Sequence, residues 1–299
     1  MASSEFIALE HSSGVSVIRI KRPAKKNALT LPMYSAMTAA FAAAEADAAV
    51  HVHLWIGDSG IFTAGNDLSA FADPSSDLSI VTRFLDTLRT LQKPLVCGVC
   101  GYAVGIGTTA LLHADLVYAD ATAKFKLPFV DLGLVPEAAS SYLLPLRVGI
   151  HRANRMLMLG ETIDGATAER WGLCACLINY IDLSLRCRRS RSLICNVCCR
   201  APPTSFGHLP SRCAGELVGE DDSVAEHALR RAQELAVRAP TALVETKALC
   251  RSHDTRVVKE AMQAEAAVFA RCLRGPEAAE ALQAFAEKRR PDFSVTSHL

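Results

Sequence analysis

Short apolar segments with strand character alternate with helical segments along the first 120 residues. The strand segments are rich in β-branched residues and lie at 14–20, 50–56, 95–100 and 116–119. Between them, a helix capped by Thr30 is predicted to reach about Asp47, and an amphipathic helix covers 79–91. Strands separated by helices need crossover connections, so the chain is predicted to fold as an α/β protein.

The composition suits one large domain with room for a small appendage. Half of the 299 residues are hydrophobic, which is enough for a sizeable core. The net charge is +1, so no overall field attracts nucleic acid, and we expect no nucleic-acid partner. No apolar run reaches the roughly 18 residues of a membrane-spanning helix, so no membrane association is expected. Because no secretory signal is recognisable, the eleven cysteines are predicted to be free thiols.

The pattern divides the chain into three regions. Residues 1–173 carry the alternation of strands and helices, and residues 223–299 return to regular helical spacing. The segment 174–222 has no sustained period and is rich in cysteine and arginine. Three hypotheses stay open for it: a lineage-specific insertion, non-native coding sequence, or a metal site. One Cys-x-x-Cys pair without a histidine pair gives a metal little support, so none is predicted.

Two glycine-containing loops are candidates for a ligand site. The first is Phe-Thr-Ala-Gly-Asn-Asp-Leu at 62–68, and the second is Gly-Tyr-Ala-Val-Gly-Ile-Gly at 101–107. Glycines allow the main chain to turn and to approach a ligand closely. Ile106 also precedes a predicted helix, whose amino-terminal N–H groups favour an anion.

These loops, together with two further segments, resemble the crotonase (enoyl-CoA hydratase/isomerase) superfamily. The further segments are Leu-Gly-Leu-Val-Pro-Glu at 132–137 and Phe-Ala-Glu-Lys-Arg-Arg-Pro-Asp-Phe at 285–293. The resemblance covers 6–173 and 223–293. It implies a spiral of β-β-α units followed by a helical trimerisation region, and assembly into trimers or hexamers. It also implies acyl-CoA substrates and no cofactor beyond the coenzyme A that the substrate carries.

The resemblance further implies the binding site for the thioester. The oxyanion that develops on the thioester would be held by two main-chain N–H groups, those of Ala64 and Ile106. The substrate-binding positions that it implies are Lys26, Ala64, Gly65, Asn66, Asp67, Leu68 and Gly105.

The acid–base residues distinguish the possible reactions. Hydratases of the family usually carry two glutamates, and the corresponding positions here are Thr109 and Phe129. Glu137 lies in Pro-Glu-Ala-Ala-Ser-Ser, which resembles the catalytic segment of peroxisomal Δ3,Δ2-enoyl-CoA isomerases. Its apolar neighbours are expected to raise its pKa towards neutrality. Isomerisation is therefore predicted; weak hydration of 2-enoyl-CoA and acyl-CoA binding without turnover remain alternatives.

The tripeptide Ser297, His298 and Leu299 resembles a peroxisomal address. An import receptor is the expected partner of such a tripeptide. The predicted location is therefore the peroxisome or a related organelle, and otherwise the cytoplasm.

Overall fold

A twisted, largely parallel sheet forms the centre of the protein; the computed structural model describes residues 5–69, 76–180, 216–218 and 223–295. The strands, in chain order, are β1 (Ile7–Ser12), β2 (Val15–Ile20), β3 (Val52–Gly57), β4 (Leu95–Val99), β5 (Tyr102–Val104), β6 (Leu116–Asp120), β7 (Lys124–Lys126), β8 (Ile163–Asp164), β9 (Cys176–Tyr180) and β10 (Glu216–Val218). Seven form one sheet in the order β1-β2-β3-β4-β6-β9-β10, and β5-β7-β8 form a second.

Helices follow the strands and dominate the carboxyl third of the chain. They are α1 (Leu31–Ala46), α2 (Ser79–Thr90), α3 (Ile106–Thr109), α4 (Ser140–Val148), α5 (Ile150–Leu157), α6 (Gly165–Trp171), α7 (Val224–Ala236), α8 (Pro240–Arg251), α9 (Thr255–Leu273) and α10 (Pro276–Ala286). The mixed α/β class and the helical carboxyl third are therefore as predicted. None of the described helices is both long and apolar enough to cross a bilayer.

Helices cover both faces of the large sheet. On one face, α1 and α2 contribute Phe41 and Phe84 to the main apolar cluster. On the other face, α7 packs its small residues Ala228 and Ala232 against the strands. β3 is buried along its whole length because it lies between two parallel strands and under helices on both faces.

The predicted helix after Thr30 and the predicted helix at 79–91 are observed as α1 and α2. β1 was not predicted from the sequence. It is an edge strand with three consecutive exposed residues, so its apolar alternation is weak.

The predicted insertion at 174–222 begins and ends in strands of the large sheet. β9 pairs with β6, and β10 pairs with β9, both in parallel. These two strands are regular structure that the sequence pattern of 174–222 did not predict. Residues 181–215 and 219–222, which include the Cys-x-x-Cys pair, lie outside the described residues, as does the tripeptide at 297–299. Five cysteines whose side chains are described are free thiols, as predicted: Cys97, Cys100, Cys174, Cys250 and Cys272.

Asp115 fastens the carboxyl-terminal helices to the sheet. Its carboxylate accepts a hydrogen bond from the Leu95 N–H at 2.7 Å and pairs with Lys247 Nζ at 2.8 Å. It also pairs with Arg251 at 2.6 Å. Since Lys247 and Arg251 both belong to α8, one carboxylate positions that helix.

Candidate active site

The two glycine loops lie against each other, and each glycine contact leaves no space for a side chain. Gly65 has a φ of +90°, and a Cβ there would lie 2.6 Å from the Val104 carbonyl oxygen. A Cβ on Gly107 would lie 2.6 Å from Thr63 Cγ2. The loops therefore need glycine for their close approach to each other, whereas the approach to a ligand stays a prediction.

The structure corrects one of the two predicted oxyanion donors. The Ala64 N–H donates to the Lys26 carbonyl at 3.0 Å, so it cannot also serve a ligand. The next amides are used in turn: Gly65 N–H donates to Thr63 Oγ1 at 3.1 Å, and Asp67 N–H donates to Leu29 O at 2.8 Å. Between them, the Asn66 N–H has no acceptor among the described residues. Asn66 thus replaces Ala64 as the candidate donor.

The N–H of Ile106, the second predicted donor, is unused in the described residues, and its role as an oxyanion donor stays a prediction. Ile106 is the first residue of α3, and its N–H has no acceptor within the part of the chain that the structure describes. The adjacent Gly105 has a φ of +55° and donates its own N–H to the Lys126 carbonyl at 2.9 Å. An amide at the start of a helix has no intrahelical partner, so this N–H is free to bind an anion.

A residue of α1 holds the Asn66 side chain in place. Tyr34 Oη, which is buried, donates a hydrogen bond to Asn66 Oδ1. Burial raises the pKa of Tyr34 well above its usual value, and the charge of nearby Glu137 raises it further. The Tyr34 phenol therefore stays protonated. Its hydrogen bond fixes the orientation of the Asn66 side chain, next to the Asn66 N–H that is the candidate donor.

Two of the other predicted substrate-binding residues, Asp67 and Lys26, have partners within the protein. Asp67 forms an ion pair with Arg22 at 2.7 Å and accepts a hydrogen bond from Ser69. Lys26 Nζ lies 5.4 Å from the centre of the Tyr102 ring. Leu68 is half-buried. Contact of these three residues with a substrate stays a prediction.

Glu137 has one satisfied and one unsatisfied carboxylate oxygen. Oε1 accepts a hydrogen bond from the Thr109 hydroxyl. Oε2 is buried and has no hydrogen-bond partner among the described residues. Burial raises the pKa of Glu137 to about 7; the Thr109 hydrogen bond opposes this, and the charge of Glu265 adds to it. A carboxylate that is ready to accept or release a proton near neutrality is suited to general acid–base catalysis.

The chain that follows Glu137 is fixed in an unusual conformation. Ala138 and Ala139 have φ values of 60° and 56°, in the left-handed region that alanine rarely adopts. Neutral His113 bonds the Ala138 carbonyl at 2.8 Å, since burial lowers the pKa of this histidine to about 4. The Ser140 hydroxyl donates to the Glu137 carbonyl at 2.6 Å. Strain of this kind persists only where the surroundings impose it.

Glu265 adds two further hydrogen bonds to this segment, and the sequence did not reveal it. From α9 its carboxylate accepts hydrogen bonds from the Ala139 N–H at 2.6 Å and the Ser141 N–H at 2.8 Å. It lies 126 residues beyond Ala139, outside every motif that points to the site. Only the three-dimensional packing of α9 on α4 brings it there.

Glu137 and Asn66 open onto one large cavity between α2 and α9. Its volume is about 820 Å³, and Ala138 also contributes to its wall. Ile106, with a buried side chain, is not part of the wall, but it lies one helical turn before Thr109, which bonds Glu137. Asp131, a further possible acid by sequence, is exposed and pairs with Lys126 at 3.2 Å.

Gly65→Ala is expected to destabilise the fold by about 2 kcal/mol or more, because it combines a positive φ with a backbone clash. Gly60→Ala is the matched control: Gly60 has a φ of +71°, but nothing lies within 4 Å of its Cβ position. Urea unfolding of both variants measures the difference. Equal loss of stability in the two variants would show that the approach to Val104 is not tight.

Comparison of the sequence with those of known proteins shows the family of this chain. Residues 10–184 match the family model described as enoyl-CoA hydratase/isomerase. The chain is 35% identical over 178 residues to enoyl-CoA delta isomerase 2 of Rattus norvegicus, covering 57% of this chain and 45% of the relative. It is 27% identical over 286 residues to the 2,3-dehydroadipyl-CoA hydratase of Escherichia coli, covering 93% and 94% of the two chains. The match thus spans about half the length of the rat relative.

The fold comparison agrees with the sequence comparison. The crystal structure of an enoyl-CoA hydratase/isomerase from Pseudoalteromonas atlantica superposes with a TM-score of 0.79 at 32% identity, covering 97% of this chain and all of the other. The matching segment, 10–184, includes both glycine loops and Glu137. The chain belongs to the enoyl-CoA hydratase/isomerase family, with the crotonase fold.

Proposed function

We propose that the protein is a Δ3,Δ2-enoyl-CoA isomerase that uses Glu137 as its only proton carrier. The single observation that supports this most is that Glu137, a residue that lines the cavity, has a buried Oε2 without a hydrogen-bond partner among the described residues. Ionised Glu137 would remove a proton from C2 of a 3-enoyl thioester. The electron pair moves into the thioester carbonyl and forms an enolate.

The enolate oxygen would receive hydrogen bonds from the N–H groups of Asn66 and Ile106. Each such donor typically lowers the barrier by a few kcal/mol. Collapse of the enolate moves the double bond to C2–C3 while protonated Glu137 returns its proton to C4. The base is regenerated, no water is consumed, and no further cofactor is needed for the proton balance.

The nearby side chains disfavour hydration. A hydratase must hold a water molecule between two proton-exchanging groups, whereas Thr109 and the buried Phe129 occupy the positions of the family's glutamates. Glu265, the carboxylate that acts on Glu137, is engaged by the N–H groups of Ala139 and Ser141. The near full-length match to a hydratase nevertheless makes hydration the second candidate.

Parallel assays with 3-enoyl-CoA and trans-2-enoyl-CoA test the proposal. We expect conversion of the first substrate and at most slow hydration of the second. Faster hydration than isomerisation would reject the proposal in favour of the second candidate. Assembly into trimers and a role in peroxisomal β-oxidation belong to the same proposal; the name of a mouse relative, enoyl-CoA delta isomerase 3, peroxisomal, supports the location.

The pH dependence follows from the raised pKa of Glu137. The free enzyme needs ionised Glu137, whose pKa is about 7 instead of its usual lower value. We therefore expect kcat/KM to rise about tenfold per pH unit below pH 7 and to level off above it. Initial rates between pH 5 and pH 9 measure this; a rate that is already constant from pH 5 would contradict the assignment.

A further inference from the structure

The cavity extends well beyond the reacting carbons. On one side α9 contributes an apolar stripe at helical spacing, which consists of Met262, Ala266, Phe269, Ala270 and Leu273. On the other side the wall is formed by Leu78, which precedes α2, and by Val81 and Leu85 of α2. From Met262 to Leu273 the stripe is about 16 Å long, at 1.5 Å per residue.

Both arginines that line this cavity pair with carboxylates near them in sequence, whereas Lys259, which also lines it, has no ion pair among the described residues. Arg89 pairs with Asp86 at 2.6 Å, and Arg83 lies 3.5 Å from Asp77. The cavity wall opposite Glu137 therefore presents a mainly apolar surface to a ligand. The cavity volume of about 820 Å³ lies at the upper end of the range of small-molecule sites, roughly 300–1,000 Å³.

A short acyl group would leave most of this surface in contact with water. A long saturated tail would cover it, and each buried methylene strengthens binding. The length of the stripe matches an extended dodecanoyl tail. The cavity is continuous with Glu137, so the tail and the reacting carbons can be bound together.

We propose that the site selects long-chain acyl-CoA thioesters, of dodecanoyl length or longer, by binding their tails between α2 and α9. This rests on the proposed function for the identity of the substrate. The cavity wall itself belongs to the fold, so it can be tested without turnover.

Saturated acyl-CoA thioesters, which cannot be isomerised, provide that test. Dissociation constants for the purified full chain are measured by calorimetry from butanoyl-CoA to hexadecanoyl-CoA. We expect affinity to increase roughly two- to fourfold per methylene up to about dodecanoyl-CoA and then to level off. Affinity that does not change between hexanoyl-CoA and dodecanoyl-CoA would overturn the proposal.

A pair of variants on α9 locates the tail. Ala266 and Ala267 are both exposed, but only Ala266 lines the cavity. Ala266→Phe is expected to weaken dodecanoyl-CoA binding at least tenfold while leaving butanoyl-CoA within about twofold, and Ala267→Phe should change neither. Equal effects of the two substitutions would reject the assigned wall.

The rates with 3-enoyl-CoA thioesters of the same lengths then separate the two proposals. Chain-length-dependent binding with no isomerisation of any thioester would reject the isomerase and leave the tail site standing. Isomerisation of all lengths with equal kcat/KM, together with flat binding, would reject the tail site and leave the isomerase standing.

Discussion

Glu137→Gln should lower the isomerase kcat by about three orders of magnitude. The amide has the shape of the carboxylate but cannot take up and return a proton at neutral pH. Its oxygen can still accept the hydrogen bond from Thr109, so the local geometry should persist. The substitution also removes a charge whose burial is unfavourable, which is why the pKa of Glu137 is raised.

Binding and stability distinguish a catalytic loss from a folding defect. The variant should bind a saturated acyl-CoA within about threefold of the wild type and unfold at the same or a higher temperature. Glu234→Gln is a suitable control, because Glu234 is an exposed residue of α7 paired with Arg231 at 2.8 Å. A Glu137→Gln enzyme with full isomerase activity would remove the proposed base.

Glu265→Ala is the second substitution with a large expected effect. It would leave the buried N–H of Ala139 and that of Ser141 without their acceptor. Each unsatisfied buried donor costs about 1–3 kcal/mol, so the free energy of unfolding should fall by about 2–5 kcal/mol. The segment after Glu137 would also lose the restraint that holds Ala139 in the left-handed region, and kcat should fall with it.

Glu265→Gln separates the electrostatic part of this effect from the structural part. Glutamine retains one acceptor oxygen but carries no charge. Because the charge of Glu265 raises the pKa of Glu137, its removal should shift the acidic limb of the pH profile to lower pH. Of the other groups around Glu137, the Tyr34 phenol stays neutral and Thr109 does not titrate. A lower kcat with an unchanged acidic limb of the pH profile would show that Glu265 acts only through its hydrogen bonds to the backbone.

The local elements were readable from the sequence because local rules determine them. The cap candidate Thr30 and the apolar spacing of 79–91 predicted α1 and α2, although the Thr30 side chain makes no capping hydrogen bond. The glycine loops predicted turns of the main chain. The burial of Glu137 also followed from its apolar neighbours. These features depend on residues within a few positions of one another.

The features that the sequence analysis predicted wrongly or missed depend on contacts between residues far apart in the chain. Ala64 carries a motif, but its N–H is already used by Lys26, which lies 38 positions earlier; the pattern of used and free amides follows from how these loops cross. Glu265 and the apolar stripe of α9 reach the site only through tertiary packing. Strands β9 and β10 lie in a segment without a regular sequence pattern. They can be recognised as strands only from their pairing in the sheet.

A crystal structure with a bound, unreactive acyl-CoA thioester tests the central claim most directly. The account predicts the thioester oxygen about 2.7–3.1 Å from the N atoms of both Asn66 and Ile106, with Glu137 Oε2 over the C2–C4 segment. A thioester oxygen bound away from these two amides, or a Glu137 carboxylate turned into solvent, would contradict it.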